Sequence, residues 1–260
     1  LFDPSMKKPY KSLKLKRLLR KASQVANTSM PIFIYGEPGC PNVQIARGIH
    51  DNSKSNRKSK GFQIVDCFNK NENLSDIIEL AKGGTLYLEN IDLISPFNQE
   101  LLTKSILSFQ DMHINYLSQA EKINTSNPDN QSEISQNPDI RVIASSSKSY
   151  DEIKGSGNLG QRFLESIARV ILKVPPLRER AEDLPNIIES HFDTCCKRHN
   201  REISLHSSAK NILINHKWPG NDFELDKALN QLLLFTEGAE IKDRDVLETL
   251  FDLPENTLSS

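Results

Sequence analysis

The stretch from Pro31 to Arg47, PIFIYGEPGCPNVQIAR, restricts the fold of this chain more than any other part of the sequence. The apolar, β-branched and aromatic residues 32–35 predict a strand that ends at Gly36, and the residues after Pro41 have helical periodicity. A strand, a glycine turn and a helix in this order form the geometry of a phosphate-binding loop. In such a loop, G-x-x-x-x-G-K-[ST], backbone N–H groups surround the phosphates, a Lys contacts them and a hydroxyl holds Mg²⁺.

The loop nevertheless lacks the side chains that contact a nucleotide. Pro41 stands where the second glycine is expected, which removes an N–H donor and fixes φ. Asn42 replaces the Lys and carries no positive charge, and Val43 offers no oxygen to a metal. We therefore predict a loop with the shape of a phosphate site but without its chemistry. The vestigial nucleotide-binding positions are Gly36, Glu37, Gly39, Asn42 and Val43.

Composition restricts the class of protein. The 260 residues, 37% hydrophobic and 26% charged, fit a soluble globular protein of one large or two modest domains. A net charge of −1 argues against a globally basic nucleic-acid binder. The 4 cysteines have no C-x-x-C spacing, which indicates a reducing compartment and no metal site. No apolar run approaches the roughly 18 residues of a membrane helix. Because the chain begins at Leu1, we expect it to be a segment of a longer protein.

Strands and helices alternate between residues 31 and 174, and this alternation predicts a parallel sheet with helices on both faces. The further strands are predicted at 62–67, 85–88, 139–144 and 170–174. Residues 111–138, rich in Asn, Ser and Gln, predict a long mobile surface loop.

After Pro176 the strand signal stops and helical periodicity dominates. The predicted helices cover 182–199, 207–216, 221–236 and 242–251. Within the WPGN turn, Asn221 is expected to cap the helix that follows it. The predicted domains are an α/β core at 1–176, a helical lid at 177–253 and a C-terminal linker at 254–260.

The strand TLYL, residues 85–88, leads into Glu89 and Asn90. Phosphate-loop proteins usually place an Asp for the metal and a Glu for the attacking water at this point. Asn90 cannot accept a proton, so general-base catalysis at that position fails. A strand end whose polar residues simply face solvent is an equally good interpretation of this segment.

Several segments together resemble the AAA+ domain of bacterial σ54-dependent transcription activators (enhancer-binding proteins). They are GEPG…IARGIH, FxxVDC, GGTLYLENID, DIRVIASS, VPPLRERAEDLP and WPGNDFEL, in the family's order and rough spacing from about Phe2 to Pro254. The resemblance implies an α/β core of the P-loop NTPase type, with helices flanking a parallel sheet, plus a small C-terminal helical lid. It also implies rings that hydrolyse ATP to remodel σ54–RNA polymerase in the bacterial cytoplasm. Full-length members often add a sensory and a DNA-binding domain, which are expected outside this segment.

Each catalytic position of the family differs in this chain. The Gly-Lys pair of the nucleotide loop corresponds to Pro41-Asn42, and the Walker B Asp-Glu pair corresponds to Glu89-Asn90. The sensor Asn corresponds to Ser147, and the sensor Arg of the lid corresponds to Phe223. The resemblance therefore implies a family member that has lost its catalytic groups.

The arginine fingers and the σ54-contacting loop are also absent. A gapless alignment places Gly160 and Ser166 at the finger positions, and Arg162 could substitute only if the register shifts by two residues. The G-A-F-T-G-A signature should lie between the second and third strands, but residues 68–82 do not contain it. This argues against direct contact with σ54.

We interpret the chain as a degenerate AAA+ domain, a pseudo-ATPase with no catalytic residue and no metal site. Its partners would be copies of itself or AAA+ subunits of a mixed ring, and ATP or ADP with Mg²⁺ would bind weakly at best. The alternative is an active or weakly active σ54 activator, with Arg162 and Lys148 or Lys82 as displaced catalytic groups. A decayed gene product is a third interpretation. Four residues of the PPLRERAED segment should attach the lid to the core: Arg178, Glu179, Arg180 and Asp183.

Overall fold

The computed structural model describes residues 10–69, 73–106 and 140–252. In the first part of the chain, strands and helices alternate as expected. The strands are β1 (Ile32–Tyr35), β2 (Phe62–Asp66), β3 (Thr85–Glu89), β4 (Arg141–Ser146) and β5 (Val170–Lys173). The helices are α1 (Leu13–Val25), α2 (Asn42–Asp51), α3 (Ser55–Lys58), α4 (Leu74–Leu80), α5 (described over 96–106), α6 (Tyr150–Ser156) and α7 (Gln161–Ile167).

The five strands form one parallel sheet in the order β2-β3-β4-β1-β5. This confirms the predicted α/β fold. In the register of the sheet, Asp66 lies opposite Glu89, and Tyr35 lies opposite Ser146. Since all the strands are parallel, their carboxyl ends lie at one edge of the sheet, where ligands of open α/β sheets bind.

The central strands are buried on both faces. Phe33, Leu88 and Ile143 are fully buried, as are their neighbours along the same strands. Strands covered by helices on both faces lack the apolar–polar alternation of a half-exposed strand. Burial on both faces explains why these strands are continuous apolar runs in the sequence.

After β5 the chain is mainly helical. The bounds are α8 (Leu184–His199), α9 (Ser207–Asn215), α10 (Asn221–Phe235) and α11 (Asp243–Asp252). Their apolar faces surround Trp218, which is fully buried and donates its indole N–H to Leu213 O at 2.9 Å. A buried Trp needs such an acceptor, because its N–H has lost its contact with water.

The expectation that strands stop after Pro176 was wrong. Two short strands, β6 (Ser204–Leu205) and β7 (Glu240–Ile241), pair in parallel within the helical part. Each has two residues, which is too short for a period-two alternation to be recognised in the sequence.

The chain divides into two compact units that do not follow chain order. One unit combines the segment up to Arg20, the loop Gly36–Pro41 and the chain from Val174 onward. The other combines Lys21–Tyr35 with Asn42–Lys173 and contains the sheet. The loop therefore groups with the helical part of the chain and not with the sheet.

Two expectations fall on residues outside the described ranges. These are the long surface loop at 111–138 and the linker at 254–260. Among the helices that the structure describes, none combines the length and the apolar character needed to cross a membrane.

Arg141, the first residue of β4, is a charged group buried inside the sheet unit. Its side chain is fully buried and donates to Thr28 O at 3.1 Å, to Ala26 O and to Ile49 O at 3.5 Å. Buried carbonyls need hydrogen-bond donors, and a guanidinium offers five N–H groups. The side chain thus joins β4 to the end of α1, to the segment after it and to α2.

We predict that Arg141→Met lowers the free energy of unfolding by about 2–4 kcal/mol, because several buried carbonyls lose their donor together. Chemical denaturation measures this change. Arg169→Met is the matched control, since Arg169 is exposed and its replacement should change the free energy by less than about 0.5 kcal/mol. Equal effects of the two substitutions would contradict this role of Arg141.

Candidate functional site

The loop Gly36–Pro41 connects β1 to α2 and makes a tight turn. Cys40 donates its backbone N–H to Glu37 O at 3.0 Å. Gly39 has φ +81, in the left-handed region that glycine adopts without strain. The backbone therefore makes the tight glycine turn that the sequence predicts between β1 and α2.

The carbonyls of this loop bind the beginning of α10. Pro38 O accepts from Asn221 Nδ2 at 3.0 Å, and Gly39 O accepts from the N–H of Phe223 at 3.2 Å. No side chain caps α10 at its first residue, so Gly39 O satisfies one of the N–H groups that a helix start leaves unpaired. A Cβ at Gly39 would lie 2.0 Å from Gly220 O, so only glycine allows this approach.

Asn221 does not cap α10, which corrects the expectation from the sequence. The helix begins at this residue, which has φ 54 and a fully buried side chain. Its Oδ1 accepts from the N–H of Leu177 at 2.9 Å, while its Nδ2 donates to Pro38 O. The side chain bridges two distant segments of the chain instead of closing its own helix, because the left-handed backbone at Asn221 aims it away from the first turn.

Glu37 makes a two-pronged ion pair with Arg178. Each Nη atom of the guanidinium donates to one carboxylate oxygen at 2.5 Å. The side chains remain 40% and 45% exposed, so the pair is reachable from solvent. The hydrogen bonds to Glu37 raise the pKa of Arg178 above its ordinary value. Glu37, the acidic residue of the loop, is thus paired with the Arg178 cation.

The PPLRERAED segment contributes four side chains, each with its own partner in the same unit. The segment forms a 3₁₀ helix, Leu177–Asp183, ahead of α8. Besides the Glu37–Arg178 pair, three further contacts involve this segment. Lys14 Nζ donates to the Glu179 carboxylate at 2.8 Å, and Arg180 donates to Asp222. The N–H of Ser12 donates to Asp183 Oδ1 at 3.1 Å. The partners lie in the loop, at the start of α1 and on α10, which gives this charged motif a structural role.

Cys40 is not a nucleophile in this environment. Burial, with a smaller contribution from the negative charge of Asp222, raises the pKa of its thiol to about 12. The pKa of Asp222 is itself raised by burial, although the Arg180 guanidinium acts in the opposite direction. Because the thiolate is the reactive form, Cys40 is inert at neutral pH.

At the carboxyl edge of the sheet, Asn90 and Asp66 form a hydrogen-bonded pair. Asn90 follows β3 in the left-handed conformation, with φ 52, and its Nδ2 donates to Asp66 Oδ1 at 2.9 Å. The same oxygen accepts from the N–H of Phe68 at 3.1 Å. Burial raises the pKa of the neighbouring Glu89, and the Asp66 charge raises it further. The amide at the predicted base position therefore acts as a donor.

A second polar group lies at the same edge, at the end of β4. Ser146 Oγ donates to Asp92 Oδ1 at 2.6 Å, and Lys148 Nζ lies 3.1 Å from Asp92 Oδ2. Ser147, which was predicted to stand at the sensor position, is exposed. The only cation of this cluster within the described residues is thus paired with a carboxylate of its own chain.

The remaining predicted positions are spread over separate elements. Asn42 and Val43 begin α2, and Asn42 Oδ1 is buried without a hydrogen-bond partner among the described residues. Gly160 donates its N–H to Gln99 Oε1 at 2.9 Å, at the start of α7. Arg162 is exposed on the same helix. None of these contacts forms a nucleotide-binding set.

Ser166 and Phe223 are the residues predicted to stand at an arginine-finger position and at the sensor position of the lid. Ser166 is buried and donates to Phe163 O at 2.6 Å, within its own helix. Phe223 is 72% exposed and contributes only its backbone N–H to the loop. Neither side chain can stabilise a phosphate charge.

Lys82, one of the displaced groups considered, lies at the wrong edge of the sheet. It pairs with Glu79 at the end of α4, just before the amino end of β3. Asn90 follows the opposite end of that strand. Among the residues that the structure describes, no group of three His, Cys, Asp or Glu side chains could hold a metal ion.

Sequence reasoning missed two acidic residues that organise these sites. Asp66 is the last residue of β2 and lies opposite Glu89, so its position at a strand end was the available signal. Asp222 lies in the first turn of α10 and pairs with the buried Arg180. No sequence pattern announces the second pair, since its partners are 42 residues apart.

We predict that Gly39→Ala destabilises the lid unit more strongly than Gly238→Ala. Both glycines have positive φ, +81 and +96, so both substitutions should cost about 1–2 kcal/mol of backbone strain. Only Gly39 also meets a carbonyl at 2.0 Å, whereas nothing lies within 4 Å of a Cβ at Gly238. The overlap should add about 1–3 kcal/mol. Thermal unfolding of both variants measures the difference, and equal losses would contradict the close approach of loop and helix.

We predict that Asp66→Asn lowers the pKa of Glu89 toward its ordinary value, because one of the two causes that raise it disappears. In the unsubstituted chain, the folded state holds the proton of the Glu89 carboxyl more tightly than the unfolded state does. The stability that protonated Glu89 contributes is present at low pH, and it is lost as the pH rises through the raised pKa of this carboxyl. Titration by NMR of the Glu89 side chain measures the shift. Asp92→Asn serves as the control and should leave that pKa unchanged.

Two family models match the chain in separate regions. The sigma-54 interaction domain matches residues 10–119, and the AAA+ ATPase lid domain matches residues 178–258. The first region holds most of the sheet and the second holds the helical part.

Similar proteins are bacterial transcription regulators. The transcriptional regulatory protein ZraR of Klebsiella oxytoca is 25% identical over 89% of this chain. FlbD of Caulobacter vibrioides is 27% identical over 88%, and the Nif-specific regulatory protein of Azotobacter vinelandii is 24% identical over 90%. The chain spans about half the length of these relatives: 53%, 51% and 45%.

Solved structures show the same fold. NtrX from Brucella abortus in complex with ADP gives a TM-score of 0.70 at 19% identity, covering 92% of this chain and 55% of that one. The RuvB Holliday junction branch migration motor of Thermotoga maritima gives 0.60 at 14% identity, covering 92% and 67%. With a sigma-54 interaction domain model matching the first part of the chain and an AAA+ ATPase lid domain model matching the last part, the chain is similar to the sigma-54 interaction domains of bacterial transcription regulators.

Proposed function

We propose that this chain is a pseudo-ATPase domain of a σ54-activator-type transcription regulator. It acts through oligomerisation or by passing a signal between flanking domains, and not by hydrolysing ATP. The observation that carries the proposal is the joint loss of charge at three positions: Asn42 in the loop, Asn90 at the strand end and Phe223 in the lid. Each is a neutral side chain where the family has a charged one.

The typical rate losses on removal of such catalytic groups support this proposal. Removing one group that stabilises a developing phosphoryl charge typically lowers the rate by about 10²–10³. An arginine finger alone contributes roughly 10³–10⁵. The chain lacks the loop Lys, the base and the residues at the finger positions together, and a useful turnover does not survive such a combination even when the losses are not additive.

The geometry of the loop gives independent support. Two of its positions are prolines without an N–H, and the N–H of Cys40 is bonded within the turn. Two of its carbonyls accept hydrogen bonds from α10. Phosphate binding at such loops requires converging N–H donors, so these contacts favour a structural role for the loop.

The partners follow from the same argument. No G-A-F-T-G-A signature lies between β2 and β3, which is the interval from 67 to 84. We therefore propose that the domain associates with copies of itself or with AAA+ subunits in a mixed ring, in the bacterial cytoplasm, without contacting σ54 directly. Regulatory and DNA-binding domains would flank it, since the relatives extend well beyond the matched region.

A second candidate function is a weak ATP-dependent σ54 activator with displaced catalytic groups. The observation in its favour is the Asp66 carboxylate, which lies beside Asn90 at the sheet edge and could accept a proton from water. Lys148 supplies a positive charge at that edge, although Asp92 pairs with it. NtrX, which shares the fold, has been solved with ADP and with ATP.

We predict that the purified chain neither hydrolyses ATP with Mg²⁺ nor binds ATP or ADP at micromolar concentration, because no cation of the loop is available to the phosphates. A coupled phosphate-release assay and titration calorimetry measure the two properties. Asp66→Asn separates the two candidate functions. If the wild-type chain hydrolyses ATP and Asp66→Asn abolishes this hydrolysis, the result rejects the pseudo-ATPase function in favour of the second candidate.

A further inference from the structure

We propose that Glu37 is an intramolecular anion that occupies the Arg178 guanidinium and holds the loop Gly36–Pro41 closed on the start of α10 without nucleotide. The inference goes beyond the proposed function, because it concerns how the loop is closed and what competes for it. It does not depend on whether the chain hydrolyses ATP. All the residues involved lie in one compact unit.

The ion pair has the geometry that Arg uses for phosphate. Both Nη atoms donate in parallel, each at 2.5 Å from its own oxygen of Glu37. A guanidinium binds carboxylate and phosphate through the same two-pronged arrangement. Glu37 and an incoming phosphate therefore compete for the same N–H groups. Since about 40% of each side chain is exposed, an anion can reach the pair without unfolding.

The carboxylate also attaches the loop to the segment that begins the helical part of the chain. Arg178 follows Leu177, whose N–H donates to Asn221 Oδ1, and Asn221 Nδ2 donates to Pro38 O. The ion pair and this amide bridge thus join the same two segments, one through charge and one through neutral hydrogen bonds. Loss of the ion pair should loosen the loop but should not detach it.

The carbonyl oxygens of the loop do not attract an anion. Its carbonyls at Pro38 and Gly39 point toward donors on α10, and a carbonyl oxygen repels phosphate. The guanidinium of Arg178 is a cation that contacts the loop and could attract a phosphate. Glu37 neutralises it.

The test compares two substitutions that break the same ion pair. Glu37→Gln keeps the shape of the side chain and leaves a guanidinium without its carboxylate. Arg178→Gln breaks the pair and removes the guanidinium. The probe is inorganic pyrophosphate, titrated by calorimetry into the full chain at low ionic strength, where ion pairs are screened least.

We expect Glu37→Gln to bind pyrophosphate at least about tenfold more tightly than the wild type, a change of about 1.4 kcal/mol. Arg178→Gln should show no gain. Hydrogen exchange of the amides in 36–43 and 221–225 should accelerate in both variants, whereas ATP should not alter it in the wild type. Glu37→Ala gives a second measurement in case the Gln amide retains one of the hydrogen bonds.

Three results would overturn the inference. The first is that Glu37→Gln and Arg178→Gln bind pyrophosphate with equal affinity. The second is that the wild type binds pyrophosphate as tightly as Glu37→Gln does. The third is that ATP slows hydrogen exchange of the loop amides in the wild type. None of them involves hydrolysis. An ATP turnover measured in the wild type would instead contradict the pseudo-ATPase function and leave the comparison of the two variants intact.

Discussion

The parallel pairing of the five strands determines where chemistry can occur in the sheet unit. Parallel strands place all their carboxyl ends at one edge, so residues from distant parts of the chain meet there. Asp66 and Asn90 become neighbours in this way, and so do Ser146 and Asp92. At this edge, the polar side chains of these residues bond to one another. Buried or half-buried polar groups need partners, and here the protein supplies them itself.

The loop after β1 has a structural task in this chain that does not involve a nucleotide. Gly39 remains necessary because its left-handed backbone and its close approach to Gly220 exclude any side chain. Gly39 O satisfies an N–H at the start of α10, a task independent of nucleotide. The presence of the glycine frame is therefore weak evidence for nucleotide binding in this chain. The packing of α10 supplies a sufficient physical reason for it.

The charged PPLRERAED segment illustrates the difference between composition and role. Its charges are not a solvated surface, because Arg180 and Asp183 are buried and their partners lie far away in sequence. Breaking one member of a buried pair leaves an uncompensated charge, which is costly. The exposed Glu37–Arg178 pair belongs to another category. It is screened by solvent and contributes little to stability, but its guanidinium can be reached by ligands.

The α/β architecture, the five strands and the four lid helices were predictable from the sequence, because buried parallel strands and amphipathic helices have strong local patterns. The neutral residues Asn42, Asn90 and Phe223 can be read directly from the sequence, and their assignment to nucleotide-contacting positions stays a prediction. The two short strands β6 and β7 were not predictable, because two residues carry no periodicity. Nor was the bridging role of Asn221, whose left-handed backbone sends its side chain to Pro38 and Leu177. Only the tertiary structure decided which donors meet which acceptors, because those partners are brought together by packing and not by their spacing in the chain.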